Sequence, residues 1–319
     1  MQATIIYNPW AGPLPAQGLV ERAARRLSEF GWTVEIRPTE RSGDARRLAR
    51  QAADSGAQVV IAAGGDGTLS QAADALAGTQ TAVGVLPLGT ANLWAQEVGL
   101  MRVGELPPPV ERVAAALASA TVREVDLGQI EKRHFMLWCG VGLDGHVVSR
   151  IEPRNRLAKL LGLPYYVLVA AVAALNWRGR AQSVTVDGRS IGGQLFLTLI
   201  GNSRLYGGGF FKPSPAAQMD DGLLDVSVVE ASSFVEAVGV IWNPFRRAGN
   251  SPGLRQAAGR EISIEGDRRI PIQVDGEYFG RRRSIQISVR SRALRVLVPN
   301  SAPSDLFVAG GQAAGPVVL

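Results

Sequence analysis

Three short stretches of the chain carry residues that could do chemistry. Gly64-Gly65-Asp66-Gly67-Thr68 lies between an apolar run and a helical pattern. Glycines let a backbone turn sharply and offer successive N–H groups to an anion, and a following helix adds its positive N-terminal end. Asp66 alone repels a phosphate, but it fits a site that also holds Mg²⁺ or a substrate hydroxyl. The less favoured alternative is a plain β–α turn with the aspartate capping the helix. Pro87-Leu88-Gly89-Thr90-Ala91-Asn92 follows the next apolar run in the same manner. Asp275-Gly276-Glu277 sets two carboxylates two positions apart. On a strand, such residues point to one face and suit general-base work near a metal, one ionised and the other with a raised pKa. The alternative is an exposed hairpin turn with solvated acids.

The elements that must position these residues fall into two groups. Up to about residue 126, strand-like and helix-like patterns alternate. Strands are expected at Thr4–Tyr7, Trp32–Ile36, Val59–Ala63 and Ala82–Leu86, and helices at Gln17–Phe30, Ser42–Ser55 (Ser42 as N-cap), Leu69–Leu76 and Val110–Ser119. This alternation indicates an α/β domain with a mainly parallel sheet. The C-terminal ends of adjacent parallel strands face one crevice. Asn8 ends the first strand and Thr39 follows the second, so four loops converge on one edge, and Gly64–Thr68 and Gly89–Asn92 line one nucleotide site. Beyond Val122–Gln129 the pattern is β-rich, with strands at Phe135–Cys139, Ser183–Asp187, Gln194–Ile200, Leu224–Val229, Glu261–Glu265, Ile270–Asp275, Ser284–Val289 and Leu294–Val298. The expected domains are 1–126, 127–283 and a flexible tail at 300–319 with a small anchor at Leu306-Phe307-Val308; the strands around 284–299 can return to the first domain.

Composition narrows the chemistry. A chain of 319 residues, 46% hydrophobic and 19% charged, has the balance of two packed domains and excludes a disordered protein. Glycine is in excess, 37 residues against a usual ~7%. A single cysteine, Cys139, excludes disulfide frameworks and cysteine-rich metal sites, and His134 and His146 cannot supply a two-histidine zinc motif. A reduced cytosolic compartment and no signal peptide are expected. The net charge of +6 comes almost wholly from arginine, with lysine only at Lys132, Lys159 and Lys212. Arginine suits phosphate, whether on a nucleotide, a lipid head group or nucleic acid, although solvated faces explain the charge equally well. No aromatic-interleaved basic platform appears, so no nucleic-acid partner is expected. The P-loop pattern is absent. Gly140–Gly145 matches GxGxxG, but Tyr165 stands where the acidic partner of a dinucleotide site belongs. The apolar run Tyr165–Leu175 is far short of the ~20 residues of a spanning helix, and reads as a buried or interfacial helix and a candidate lipid wall.

Taken in order, Asn8-Pro9-Trp10-Ala11-Gly12, Gly64–Thr68, Leu86–Asn92, Val125-Asp126-Leu127-Gly128, Gly140–Gly145, Met219–Val226 and Gln273–Glu277 resemble the diacylglycerol kinase catalytic domain family, which includes YegS-like lipid kinases and sphingosine kinases. The resemblance spans about residues 3–299. It implies an NAD kinase/phosphofructokinase-like α/β domain, a β-sandwich second domain that helps form the lipid site, and ATP in the cleft between them. ATP contacts carry over to Thr39, to Gly65, Asp66, Gly67, Thr68, Leu69, Ser70 and Gln71, and to Thr90. Asn8, Gly64, Gly89 and Asn92 complete the loops. A Mg²⁺ site carries over to the segment from Gln218 to Leu223, with Asp220 and Asp221 acidic and the carbonyls of Gln218 and Leu223 completing the cage; by itself that segment reads as a β-turn. Glu277 matches the family's proton acceptor, and Asp275 would orient it or contact Mg²⁺. Asp66 joins them as a candidate catalytic residue. Ser70-Gln71 replaces the family's common Asn-Glu, and Leu93 stands where an acid is common.

The function implied is an ATP- and Mg²⁺-dependent lipid kinase acting on a lipid with a free hydroxyl, cytoplasmic and peripheral at the inner face of the membrane. Arg246-Arg247 and Arg281-Arg282-Arg283 are the basic residues expected to touch anionic lipid transiently. The alternatives are a soluble NAD kinase-type enzyme or a non-catalytic nucleotide-binding protein. A homodimer is compatible with the sequence.

Overall fold

A computed structural model describes residues 1–12, 14–105, 109–151, 169, 171–241 and 253–308. Residues 165–168 and 170 of the Tyr165–Leu175 run, all of Arg246-Arg247 and the end of the tail lie outside these residues.

The contacts divide the described chain into two units, one comprising Met1–Leu127, Ser203–Gly222 and the residues from Arg290 on, the other Gly128–Asn202 and Leu223–Val289. The first unit begins with β1 (Gln2–Tyr7), α1 (Ala16–Glu29), β2 (Thr33–Pro38), α2 (Asp44–Asp54), β3 (Val59–Gly64), α3 (Asp66–Leu76) and β4 (Ala82–Pro87). The strands β2, β1, β3 and β4 pair in that order, all parallel. β3 and β4 are buried along their whole length. That is why their sequences are unbroken apolar runs rather than alternations: a parallel sheet is covered on both faces. α1 buries Ala16, Leu19, Val20, Ala23, Ala24 and Leu27, the i, i+3, i+4, i+7 stripe of an amphipathic helix. Two short helices, α4 (Leu93–Glu97) and α5 (Val110–Ala118), and strand β5 (Thr121–Ile130) come next in the chain.

The second unit is antiparallel. It contains β6 (Arg133–Phe135), β7 (Trp138–Gly142), α6 (Leu143–Ile151), β8 (Arg180–Val186), β9 (Arg189–Gly201), β10 (Leu224–Glu230), β11 (Leu254–Gly259), β12 (Glu261–Val274) and the start of β13 (Glu277–Val298). β7 pairs with β9 and β12, β9 with β8 and β10, and β12 with β13. Its core gathers Phe135, Cys139, Val184, Leu195, Val226 and Ile272 among others. β13 leaves this unit at Val289; beyond it, Val296 pairs parallel with Val83 of β4 inside the first unit.

Several expectations are corrected. Phe135–Cys139 is not one strand but two, broken at Met136-Leu137. Two expected strand pairs, 261–265 with 270–275 and 284–289 with 294–298, are single long strands with irregularities in register or backbone. β11 has the weakly patterned sequence LRQAAG, and pairing with β10 makes it a strand. Ser42 does not cap α2; Gly43 holds the N-cap position with φ 85° and no side-chain cap. The segment Ser203–Gly222, expected in the second domain, belongs to the first unit.

Candidate active site

The expected convergence of four loops is present on the first unit. β1, β2, β3 and β4 end side by side, and main-chain bonds tie together the loops beyond those ends. Asn8 N–H donates to the Ala63 carbonyl at 3.0 Å and Thr39 N–H to the Tyr7 carbonyl at 2.8 Å. Leu88 and Gly89 N–H both donate to the Gly64 carbonyl, at 2.9 and 3.1 Å. Gly64–Thr68 and Gly89–Asn92 are therefore packed against each other. A Cβ on Gly89 would overlap Gly65 Cα, so only glycine permits this approach.

α3 starts at Asp66, earlier than the apolar pattern suggested, with Gly65 as an extended N-cap lacking a side-chain cap. The first-turn N–H groups of a helix have no intrahelical partners and face the positive end of its dipole. Asp66 is thus in the first turn and does not cap the helix. Leu69 and Ser70 are buried in the unit, so a ligand could meet them only through the backbone. Thr90 is exposed and Thr39 partly so. Asn92 is different: its side chain accepts from Gly89 N–H at 3.1 Å and donates to the Gly89 carbonyl at 2.7 Å, closing the loop from within. The loop after Thr39 is fixed by Asp44, whose carboxylate accepts the N–H groups of Glu40 and Arg41 at 3.0 and 3.1 Å. Those amides, the Glu40 N–H foremost, hold the Asp44 pKa down at about 2.

On the second unit, Asp275 and Glu277 do not share a strand face. β12 ends at Val274 and β13 begins at Glu277. Asp275 and Gly276 form a two-residue turn with φ 47° and 79°, the left-handed pair that Asp-Gly favours in hairpins. Nor is Asp275 a solvated turn acid: it is 7% exposed. Its Oδ2 accepts Met136 N–H at 2.9 Å, and its Oδ1 accepts Leu137 and Trp138 N–H, each at 2.9 Å. These amides belong to the break between β6 and β7, so one carboxylate both interrupts that strand and anchors the hairpin. Glu277 is held by Arg133, whose Nη2 lies 2.7 Å from Oε2.

Two further residues, missed as site candidates, steady the turn. Gln273 Oε1 accepts Gly276 N–H at 2.6 Å, and Gln273 Nε2 donates to Asp144 Oδ2 at 2.6 Å. Both lie inside motifs the sequence displays, but nothing in a sequence shows which partner a glutamine finds. Cys139 is fully buried, which pushes its thiol pKa up and makes it a core residue.

The third acidic group lies in the first unit. Asp220 Oδ1 accepts Val308 N–H at 2.7 Å, and Gln218 Nε2 donates to the Phe307 carbonyl at 3.3 Å. Leu306 and Phe307 are buried, so this segment is anchored. Sequence reasoning missed the residue that organises the segment. Asp126, 0% exposed, accepts Gly222 N–H and Arg292 N–H, both at 2.6 Å. Burial raises its pKa, and the neighbouring charges of Asp221 and Asp220 add to the rise. The available signal was a lone acid inside the apolar strand Val125-Asp126-Leu127. Among the described residues, no three His, Cys, Asp or Glu side chains group to hold a metal ion. The carboxylates of Asp220 and Asp221 and the main-chain carbonyls of the segment are hard oxygens of the kind that Mg²⁺ takes.

A parallel sheet whose glycine loops press together beside a helix N-terminus is an arrangement that suits an anion such as a phosphate. Residues 2–130 match the diacylglycerol kinase catalytic domain, and residues 139–298 match the YegS C-terminal NAD kinase beta sandwich-like domain. A Pseudomonas aeruginosa protein named probable lipid kinase YegS-like is 32% identical over 298 residues, covering 89% of this chain and 91% of that one. A Bacillus subtilis protein named diacylglycerol kinase is 26% identical over 284 residues, covering 88% and 90%. The crystal structure of a diacylglycerol kinase from Bacillus anthracis shares the fold, with a TM-score of 0.71 at 20% identity over 95% of this chain and 98% of that one. The chain belongs to the diacylglycerol kinase catalytic domain family, a family of lipid kinases. No helix among the described residues is long and apolar enough to cross a membrane.

Proposed function

We propose that the protein transfers the γ-phosphate of ATP to the hydroxyl of diacylglycerol or a related lipid, with Mg²⁺. The observation that carries this reading is the cradle of Gly64–Thr68 and Gly89 at the N-terminus of α3. Main-chain N–H groups and the helix dipole would hold the phosphates, with Thr39 and Thr90 at the rim. Asp221, with the carbonyls of Gln218 and Leu223 and with Asp220 beside it, would hold Mg²⁺, which supplies charge neutralisation.

Glu277 is the general base. Its carboxylate takes the proton of the lipid hydroxyl as that oxygen bonds to the γ-phosphorus and the bond to the departing ADP breaks. Arg133 orients the carboxylate through Oε2. Asp275 acts through the backbone, fixing the turn that presents Glu277, rather than as a second base. Positioning and electrostatics carry most of the acceleration in such transfers. The site of action is the cytoplasmic face of a membrane, where the acceptor resides.

The test uses purified protein, Mg²⁺, labelled ATP and a panel of diacylglycerol, phosphatidylglycerol, sphingoid bases, polyprenols and NAD. Label is expected in organic-phase lipid, and Glu277→Gln should lower turnover by about 10²–10⁴-fold. Label in NAD alone, or in no acceptor, overturns the reading; full activity of Glu277→Gln overturns the base assignment.

A further inference from the structure

The segment Ser203–Gly222 opens with a loop that is held tightly and yet shows its aromatic residues to solvent. At its base, the buried carboxylate of Glu97 accepts Ser203 Oγ–H at 2.6 Å, Arg204 N–H at 3.1 Å and Leu205 N–H at 3.0 Å. Arg204 Nε donates to the Ala217 carbonyl at 2.8 Å, and Nη1 to Asp305 Oδ2 at 2.7 Å. Tyr206 and Phe211 close the loop with reciprocal main-chain bonds of 2.9 and 3.2 Å. Inside it, Gly207, Gly208 and Gly209 have φ of 59°, 76° and 94°. Gln96 Nε2 donates to the Gly208 carbonyl at 3.3 Å, and a Cβ on Gly209 would overlap Gln96 Oε1.

All this order fixes a tip that buries little. Phe210 is 67% exposed, Phe211 40% and Val103 52%. Val103 belongs to the same patch, its Cγ2 lying 3.3 Å from the position a Cβ would take on Gly209. Exposed Arg102 and Lys212 flank the patch in sequence. The nearby acids are already matched: Glu105 pairs with Arg112 at 2.6 Å and Asp305 with Arg204 at 2.7 Å. The tip is therefore apolar and aromatic with a cationic rim. Aromatic rings at the acyl boundary with basic residues at the anionic head groups are the complement of a bilayer surface.

We propose that Phe210, Phe211 and Val103, rimmed by Arg102 and Lys212, are the surface by which the protein docks on an anionic bilayer. This deepens the lipid-kinase reading and rests on it for its purpose, because a lipid acceptor must be met at that interface. It also moves the docking role away from Arg281-Arg282-Arg283, where Arg282 is paired with Glu131 at 2.9 Å.

The probe is vesicles of phosphatidylglycerol and phosphatidylcholine, without ATP. Phe210→Ser/Phe211→Ser should lower co-sedimentation by about tenfold or more. Arg102→Ser/Lys212→Ser should remove several-fold of the dependence on phosphatidylglycerol content. In Phe210→Trp, brominated acyl chains should quench the emission added over wild type. Undiminished co-sedimentation of the serine pair, or no quenching of the new tryptophan, overturns the proposal. So does a stable homodimer in solution that the serine pair dissociates, since a second copy then covers the patch. Vesicle binding without phosphoryl transfer to any acceptor would sink the kinase reading alone. Transfer to detergent-dispersed lipid by a protein that ignores vesicles would sink the docking surface alone.

Discussion

Two acids separated by one glycine have opposite duties. Glu277 is part-exposed and held at one oxygen by Arg133, whereas Asp275 is buried under three amides. Their types and spacing were legible, but their division of labour was not. The rule that alternate residues share a face holds on a strand, and Asp275-Gly276 is the turn between two strands. Asp275→Ala leaves the N–H groups of Met136, Leu137 and Trp138 without that acceptor. A loss of stability on the order of 3 kcal/mol is expected, with Asp275→Asn between it and wild type. Thermal unfolding of the three proteins measures this, and equal midpoints would reject the anchoring role.

At the scale of elements, the helices and parallel strands of the first unit were legible because burial on one or both faces writes a period into the sequence. Their ends were less so. α2 begins without the expected Ser42 cap because Asp44, inside its first turn, accepts from the preceding loop instead. The Asp44 pKa near 2 in the folded protein lies below its ordinary 3.8. A depressed folded-state pKa means that this contribution is complete above about pH 4 and lost as pH falls towards 2. Asp44→Asn, which keeps an acceptor oxygen but does not titrate, should therefore show a shallower loss of stability over that window. Urea titrations at pH 4, 3 and 2 test it, and parallel pH slopes for the two proteins would count against it.

At the scale of the whole molecule, the chain passes from one unit to the other more than once. The first unit is completed by Ser203–Gly222 and by residues from Arg290 on. Asp126 joins these pieces by accepting from Gly222 and Arg292, which stand 96 and 166 positions away in the chain. Asp126→Ala should cost about 2–3 kcal/mol by removing the buried acceptor of two part-buried main-chain donors. Denaturant unfolding of the full chain checks the magnitude, and a change below about 0.5 kcal/mol, the level of an ordinary surface substitution, would contradict the joining role.

By itself the sequence determined the ordered glycine loops, the α/β and β-rich halves, and the family. Each of these rests on residue types at short spacing: glycine where backbones must approach, apolar periods where faces are buried, Asp-Gly where a chain turns. Tertiary structure alone decided which carboxylate became an anchor and which remained accessible, that Asp126 holds a distant turn, and that Phe210 and Phe211 stand outside the core. Those outcomes depend on partners tens to hundreds of residues away, and short-range spacing carries no information about them.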